Sequence, residues 1–272
     1  MSANRLEARL TALRSEGRAG VAPYVTAGDG GLATTLEVLR ALDEGGAACV
    51  ELGVPFSDPI ADGPVLQAAA QRALDAGTNL TGILAMVREL RDEGRELPIA
   101  LFSYANPLVR LGWDGAAAAS AAAGVDAWLV PDMIPEEAGP MREACEAHGV
   151  APIFFVAPTS PDDRIAAAAA ASRGFLYAIG RVGVTGGATT LDENALGFLA
   201  RVREQTDLPI GVGFGLRTPE HVAAVTQHAE LAIVGSAFVQ RVRDAYDQAG
   251  ASAAAARAAA SDYLSELQQG LR

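Results

Sequence analysis

The chain of 272 residues contains no lysine, so its 21 basic side chains are all arginines. Without a lysine amine, Schiff-base aldolases, attached pyridoxal phosphate and Walker-type phosphate loops are excluded. Cysteine is scarce as well, and Cys49 and Cys145 lack the CxxC spacing of a disulfide framework or thiolate metal site. His148, His221 and His228 are not spaced as metal ligands either. We therefore expect no metal in this protein.

The sequence also has few positive charges and no long apolar runs. The 21 arginines face 33 acidic residues, a formal net charge of -12. Because no basic stripe stands out, nucleic acids and anionic membranes are not expected partners. No apolar run is long enough to cross a bilayer, and residues 1–17 are too charged for a signal peptide. Since 50% of the residues are hydrophobic, the sequence predicts a cytoplasmic globular protein rather than a disordered one.

Eight short apolar runs alternate with longer amphipathic segments. Each run is continuously apolar, which is typical of parallel strands covered on both faces. The predicted strands are Val21–Thr26, Cys49–Leu52, Ile99–Ser103, Ala127–Val130, Pro152–Val156, Phe175–Ile179, Pro209–Val212 and Leu231–Val234. Eight such units predict one α/β domain over residues 1–272, a (β/α)₈ TIM barrel. Asn4–Glu16 is predicted to be a helix that caps the barrel's bottom.

An open, doubly wound sheet is the structural alternative. It would more often have five to seven strands and a GxGxxG fingerprint after the first strand, which this sequence lacks. In a barrel, the loops that follow the strands form the active-site mouth. The connections after the second and sixth predicted strands are the longest. The sequence therefore predicts active-site loops at about residues 53–64 and 180–193.

Glu51 is a lone carboxylate inside the second predicted strand. If Val50 and Leu52 face the helices, Glu51 faces the barrel interior, where an unpaired charge is costly. Gly53 then ends the strand, so Glu51 lies at the end where barrel enzymes place catalytic residues. A buried ion pair with an arginine is the structural alternative.

The loop that follows, residues 54–64, contributes Asp58 and Asp62. Both suit a turn or a cap before a helix that starts at Pro64. Because Glu51 is close in sequence, we favour a catalytic role for at least one of them. Apolar walls should raise the pKa of Glu51, whereas a loop aspartate should stay ionised.

Glycine-rich loops follow the last three predicted strands, at Gly183–Gly187, Gly213–Gly215 and Gly235–Ser236. Barrels often bind phosphate in this region, at the N-terminus of a helix. Ordinary loop glycines are the alternative interpretation. The groups predicted to surround a phosphate are the backbone N–H groups of Gly186, Gly215, Gly235 and Ser236, with the Ser236 hydroxyl.

The segment Val50–Pro64, VELGVPFSDPIADGP, resembles the signature of tryptophan synthase α chains. Similar matches cover nearly the whole chain: PYVTAGD at Pro23–Asp29, SYANP at Ser103–Pro107, LVPDMIPEE at Leu129–Glu137, VAPTSPDDR at Val156–Arg164, GVTG at Gly183–Gly186, VGFGLRTPE at Val212–Glu220 and VGSAFV at Val234–Val239. The sequence departs from the family pattern at Gly30, Gly180, Leu216 and His228. None of these departures touches Glu51 or Asp62.

The resemblance implies a lyase of tryptophan biosynthesis that cleaves indole-3-glycerol phosphate into indole and glyceraldehyde 3-phosphate. It implies that Glu51 protonates indole C3 and takes the glycerol hydroxyl proton, while Asp62 accepts the indole N–H. Tyr104, Tyr177 and Phe214 are implied to line the indole pocket, although each also suits the core. This retro-aldol reaction usually needs a lysine iminium or a metal. A C3-protonated indole is its own electron sink, so carboxylates suffice.

The resemblance also implies a separate β chain that carries pyridoxal phosphate and receives indole, in an α₂β₂ heterotetramer. No cofactor is then expected in this chain. Three alternatives stay open: a free-standing indole-3-glycerol phosphate lyase, another phosphate-binding barrel of the same pathway, and a non-catalytic regulatory barrel that binds the phosphate ester. A free-standing lyase would need no partner, whereas a non-catalytic regulatory barrel would have no reason to bury Glu51.

Overall fold

The computed structural model describes residues 4–180, 191–213 and 215–271, in which parallel strands alternate with helices. The strands are β1 Gly20–Thr26, β2 Val50–Gly53, β3 Ile99–Phe102, β4 Ala127–Leu129, β5 Ala151–Ile153, β6 Phe155–Val156, β7 Leu176–Ile179, β8 Ile210–Gly213 and β9 Leu231–Val234. The helices are α1 Arg5–Ser15, α2 Leu32–Glu44, α3 Pro64–Asp75, α4 Leu80–Asp92, α5 Ala105–Val109, α6 Trp113–Ala123, α7 Gly139–His148, α8 Asp162–Ala171, α9 Glu193–Gln205, α10 Pro219–Thr226, α11 Ser236–Gln248 and α12 Ala253–Gln268, before a 3₁₀ turn at Gln269–Leu271. Among these described helices, none combines the length and apolar character needed to span a membrane.

The strands form a closed parallel barrel. Their order is β5-β4-β3-β2-β1-β9-β8-β7-β6, and only Phe154 separates the two end strands in sequence. The predicted fifth strand, Pro152–Val156, is therefore split in two. The Phe154 N–H donates to the Ser172 hydroxyl (3.0 Å) instead of to a neighbouring strand, which accounts for the break. The predicted (β/α)₈ barrel is confirmed, with nine short strands in place of eight.

Side chains alternate between the two faces of the barrel wall. On β2, Val50 and Leu52 pack outward in the hydrophobic core shared with the helices, as predicted. Cys49, on the other face, packs in the barrel interior. The interior is filled mainly by small and branched side chains, namely Ala22, Ala100, Ala127, Leu129, Ala151, Ile153, Leu231 and Ile233. Glu51 therefore faces inward, above a layer of alanines.

Helix α1 closes the lower end of the barrel, as predicted. Its buried Leu6, Leu10 and Leu13 pack against the interior side chains. Asn4 caps the helix by accepting hydrogen bonds from its first turn, and its amide donates to the backbone oxygens of Asp126 and Gly149. With that end filled, the opening to the interior lies at the carboxyl ends of the strands.

Two acidic side chains at the lower end of the barrel have purely structural partners. Asp126 accepts from the N–H of Ile99 (2.8 Å) and from an arginine of α4. Glu230 likewise accepts from the N–H of Ile210 (2.7 Å) and from Arg203 of α9 (2.8 Å). Each carboxylate thereby joins the first N–H of a neighbouring strand to the helix before that strand. These buried charges are satisfied, which sets them apart from Glu51.

Candidate active site

Glu51 lies near the upper end of β2 and is 1% exposed. Its neighbours across the sheet are Tyr24 of β1 and Ala100 of β3. One carboxylate oxygen, Oε1, is buried and finds no hydrogen-bond partner among the described residues. No basic side chain of the described ranges forms an ion pair with Glu51. The alternative of a buried ion pair with an arginine therefore finds no partner there. Burial raises the pKa of Glu51 to about 8, and at neutral pH the group is mainly a proton donor.

Aromatic rings line the barrel interior beside Glu51. Tyr24 and Phe102 meet edge to face with ring centroids 5.6 Å apart, and Phe102 and Phe155 do so at 6.1 Å. Phe155 then contacts Tyr177 at 4.8 Å. Of these four rings, only Tyr177 was predicted. The others occupy inward strand positions, a signal that becomes readable only once the register is known. These four side chains, called the aromatic slot below, give the interior beside Glu51 an apolar, aromatic lining.

Glycines end two strands of this slot for a steric reason. A Cβ atom on Gly53 would lie 2.0 Å from the Tyr24 hydroxyl oxygen, and one on Gly213 would lie 2.4 Å from that of Tyr177. Each tyrosine thus reaches over the end of a neighbouring strand. Burial raises the pKa of both phenols, so they remain protonated.

Asp62 lies in the loop between β2 and α3, where Tyr104 holds it. The Tyr104 hydroxyl accepts the N–H of Ala61 (2.9 Å) and donates to the Asp62 carboxylate. Burial raises the pKa of Asp62 to about 6, against the opposing effect of that hydrogen bond. Asp62 is therefore still mostly ionised at neutral pH, although burial moves its pKa closer to neutrality than the sequence alone indicates. Its pKa is lower than that of Glu51, as an acid–base pair requires.

Asp58 occupies a different environment from Asp62. Its side chain is exposed and accepts a hydrogen bond from the Ser57 hydroxyl. Gly63 is the N-cap of α3, so neither aspartate caps that helix. Of the two aspartates in this loop, the structure places Asp62 against a buried tyrosine at the mouth of the barrel.

The predicted phosphate site lies where β9 leads into α11. Gly235 is the N-cap of this long helix and Ser236 its first residue, and no side chain satisfies the first N–H groups. Among the described residues, none would lie within 4 Å of a Cβ atom on Gly235 or on Gly215. The described part of the chain thus leaves the space at the helix N-terminus open, as an anion site requires. The predicted residues Gly186 and Phe214 lie outside the described ranges, as does most of the predicted loop 180–193.

Asp29 connects the helices that follow the two candidate sites. Its carboxylate accepts two hydrogen bonds from Arg72 of α3 (both 2.7 Å) and one from Arg243 of α11 (2.9 Å). Helix α3 follows the Asp62 loop, and α11 begins at Ser236. This partly buried ion triad therefore links helix α3, which follows the candidate catalytic loop, to helix α11, which begins at the candidate phosphate site.

The fold is a (β/α)₈ barrel, and these side chains are of the types that acid–base enzymes of this class use. A protonated glutamate faces an aromatic slot, an ionised aspartate lies at the mouth, and an open helix N-terminus offers an anion site. Within the described ranges, no group of histidine, cysteine, aspartate and glutamate side chains comes together as metal ligands.

Comparison with known proteins narrows this class to one family. The family model of the tryptophan synthase alpha chain matches residues 10–269. Tryptophan synthase alpha chains from Alkalilimnicola ehrlichii and Chloroflexus aurantiacus are 47% and 44% identical, over 90% and 97% of this chain and 89% and 97% of theirs. Tryptophan synthase subunit alpha of Legionella pneumophila has a TM-score of 0.90 at 32% identity, with 99% of each chain covered. A structure of Mycobacterium tuberculosis tryptophan synthase has a TM-score of 0.86 at 35% identity, and the match covers 100% of this chain and 99% of that chain.

The chain therefore belongs to the tryptophan synthase alpha chain family. It is a lyase of tryptophan biosynthesis. The resemblance stated from its sequence motifs is confirmed.

Proposed function

We propose that this chain cleaves indole-3-glycerol phosphate into indole and glyceraldehyde 3-phosphate, with Glu51 and Asp62 as its acid–base pair. The observation that carries the proposal is the buried carboxyl group of Glu51, which faces an aromatic slot with no ionic or hydrogen-bond partner for Oε1 in the described ranges. Such a group is costly for folding and is retained where a reaction needs a neutral acid. Asp62 supplies the complementary negative charge.

The proposed reaction begins when Glu51 transfers its proton to indole C3. The ring becomes a cation, and the ionised Asp62 accepts the indole N–H and stabilises the positive charge. Glu51, now a carboxylate, removes the proton of the hydroxyl on the adjacent glycerol carbon. The bond between that carbon and indole C3 breaks, its electron pair returns to the ring, and the carbon becomes the aldehyde. Protons and electrons balance within the chain and the substrate.

A direct assay tests the proposal. The purified chain is incubated with indole-3-glycerol phosphate, and indole is measured by chromatography. Release of indole supports the lyase. A chain that binds the ester without cleaving it would instead be the non-catalytic regulatory barrel.

The pH dependence of kcat/KM follows from the two pKa values. Asp62 must be ionised and Glu51 protonated, so we expect a bell-shaped profile with limbs near pH 6 and pH 8. The rate should fall about tenfold per pH unit beyond each limb. Asp62→Asn should remove the acid limb as well as lower the rate. A profile that is flat from pH 5 to pH 9 would contradict this assignment.

We propose that the phosphate of the substrate binds at Gly186, Gly215, Gly235 and Ser236. Support comes from the open space above Gly235 and from the uncapped N-terminus of α11. A phosphate dianion accepts several N–H hydrogen bonds there and interacts favourably with the helix dipole. The Ser236 hydroxyl adds a further donor.

Substitution Gly235→Val tests this site. The added side chain projects into the open space, so we expect the Kd of the phosphate ester to rise about tenfold or more. The Kd of indole, which lacks a phosphate, should change little. Calorimetric titration with each ligand measures the two effects, and a thermal melt serves as the folding control. Equal weakening of both ligands would contradict the placement.

We further propose that a β chain carrying pyridoxal phosphate docks at the mouth and forms an α₂β₂ assembly in the cytoplasm. The supporting feature is a docking face of exposed apolar side chains, Ile60, Val109, Leu111 and Ile134. These belong to the connections after β2, β3 and β4, which are adjacent strands, and Val109 ends the short helix α5. Exposed apolar groups gathered on one face mark protein interfaces. This chain is expected to hold no cofactor of its own, since it lacks the lysine to which pyridoxal phosphate attaches.

A further inference from the structure

The loop after β4 contacts the residue next to Tyr104. The Asp132 carboxylate accepts the backbone N–H of Ala105 at 2.9 Å. Ala105 is the first residue of α5, and its N-cap, Tyr104, makes no capping hydrogen bond through its own side chain. Asp132 therefore supplies the cap from another loop, which fixes the backbone that carries the Tyr104 ring.

The other end of the Tyr104 side chain reaches the candidate catalytic loop. Its hydroxyl accepts from Ala61 and donates to Asp62, while its ring packs against Phe56 with centroids 5.2 Å apart. Tyr104 is 2% exposed, so it is held firmly between its two ends. A rigid side chain thus connects the Ala105 backbone to Asp62.

We propose that Asp132 is a positioning residue of the reaction, which acts through Ala105 and Tyr104 to hold the Asp62 carboxylate at the mouth of the barrel. The proposal rests on the proposed function, because it assigns Asp132 a role only through Asp62. It assigns no contact between Asp132 and the substrate.

The loop that carries Asp132 also contributes to the docking face. Ile134, two residues further along the same loop, belongs to that face. A partner that restrains this loop would also restrain the cap on α5. Docking and the orientation of Asp62 are then coupled through a continuous set of contacts.

Four variants of the isolated chain separate positioning from charge. Asp132→Ala removes the acceptor and is expected to lower kcat about tenfold with a smaller change in KM. Asp132→Asn keeps an acceptor oxygen for Ala105 and should retain at least half of the wild-type kcat. Tyr104→Phe already removes the hydroxyl that contacts Ala61 and Asp62. Adding Asp132→Ala to that variant should therefore lower kcat by less than a further twofold.

The acid limb of the pH profile provides a readout that a merely structural role would not move. The titratable groups near Asp62 are Tyr104 and Tyr24, and Asp132 is a further charge near Tyr104. Loss of the Tyr104 hydrogen bond should raise the pKa of Asp62, so Asp132→Ala should move the acid limb upward. Simple loss of a negative charge would move it downward.

Ser252→Ala is the matched control, because Ser252 caps α12 by accepting from Ala255. Helix α12 follows β9, which is not adjacent to β3 or β4 in the barrel. This variant should keep the wild-type rate and acid limb. Wild-type kcat in Asp132→Ala, or a downward shift of its acid limb, would overturn the positioning role while the proposed reaction stands. Failure of the wild-type chain to release any indole would overturn both.

Discussion

Replacing Glu51 by glutamine is expected to lower the rate of indole release at least about 100-fold, because a general acid contributes at least that factor. Glutamine has nearly the same shape but cannot protonate indole C3. The slot, the Asp62 loop and the phosphate site are unchanged, so the variant should still bind indole-3-glycerol phosphate. Steady-state release of indole and calorimetric binding of the uncleaved substrate measure the two properties separately. A variant with more than about a tenth of the wild-type rate would show that Glu51 is not the acid.

Stability measurements supply the control for this substitution. In the folded chain the pKa of Glu51 is about 8, above its ordinary value of 4.5. Between these values the unfolded chain ionises Glu51 while the folded chain keeps it protonated, so the wild type loses stability as pH rises through this window. Glutamine does not titrate. The variant should therefore gain in relative stability from pH 5 to pH 8, by about 3 to 4 kcal/mol at most. Thermal melts across this range check the sign.

The position of Glu51 was predictable from sequence because it depends on local rules. Strict alternation along a strand fixes that Glu51 faces opposite to Val50 and Leu52. Gly53 then places the carboxylate at the upper end of the barrel, and a raised pKa follows from burial alone. The same reasoning applies to the helix at Asn4–Glu16, whose leucine spacing indicates one apolar face. Each of these features is set by residues close together in the chain.

Other features depend on residues far apart in the chain. The pKa of Asp62 rises because the folded loop buries its carboxyl group, against the opposing effect of Tyr104. Nothing in the sequence of residues 54–64 indicates that burial. The split between β5 and β6 arises from the Ser172 hydroxyl, which follows a helix. The contact of Asp132 with Ala105 likewise requires the register of β3 and β4. Such pairings become visible only when neighbouring strands bring their loops together.

Mixing the isolated chain with a β chain is expected to raise indole release at least about tenfold, which corresponds to about 1.4 kcal/mol of coupling. The Asp62 loop is largely exposed from Ser57 to Gly63, and Tyr104 fastens it from below. We therefore expect the isolated chain to populate the arrangement for cleavage only part of the time. A partner that binds that arrangement raises the rate by shifting the population.

The docking face makes this expectation specific. Leu111→Asp introduces a charge into the apolar face and should reduce the ratio of the rates with and without the β chain to below about twofold. Ala8→Asp adds the same charge on an exposed position of α1, at the closed end of the barrel, and should leave the ratio unchanged. Both rates are measured at saturating indole-3-glycerol phosphate and saturating β chain. A fast isolated chain whose rate the β chain does not change would instead identify a free-standing lyase, in which the apolar face serves another purpose.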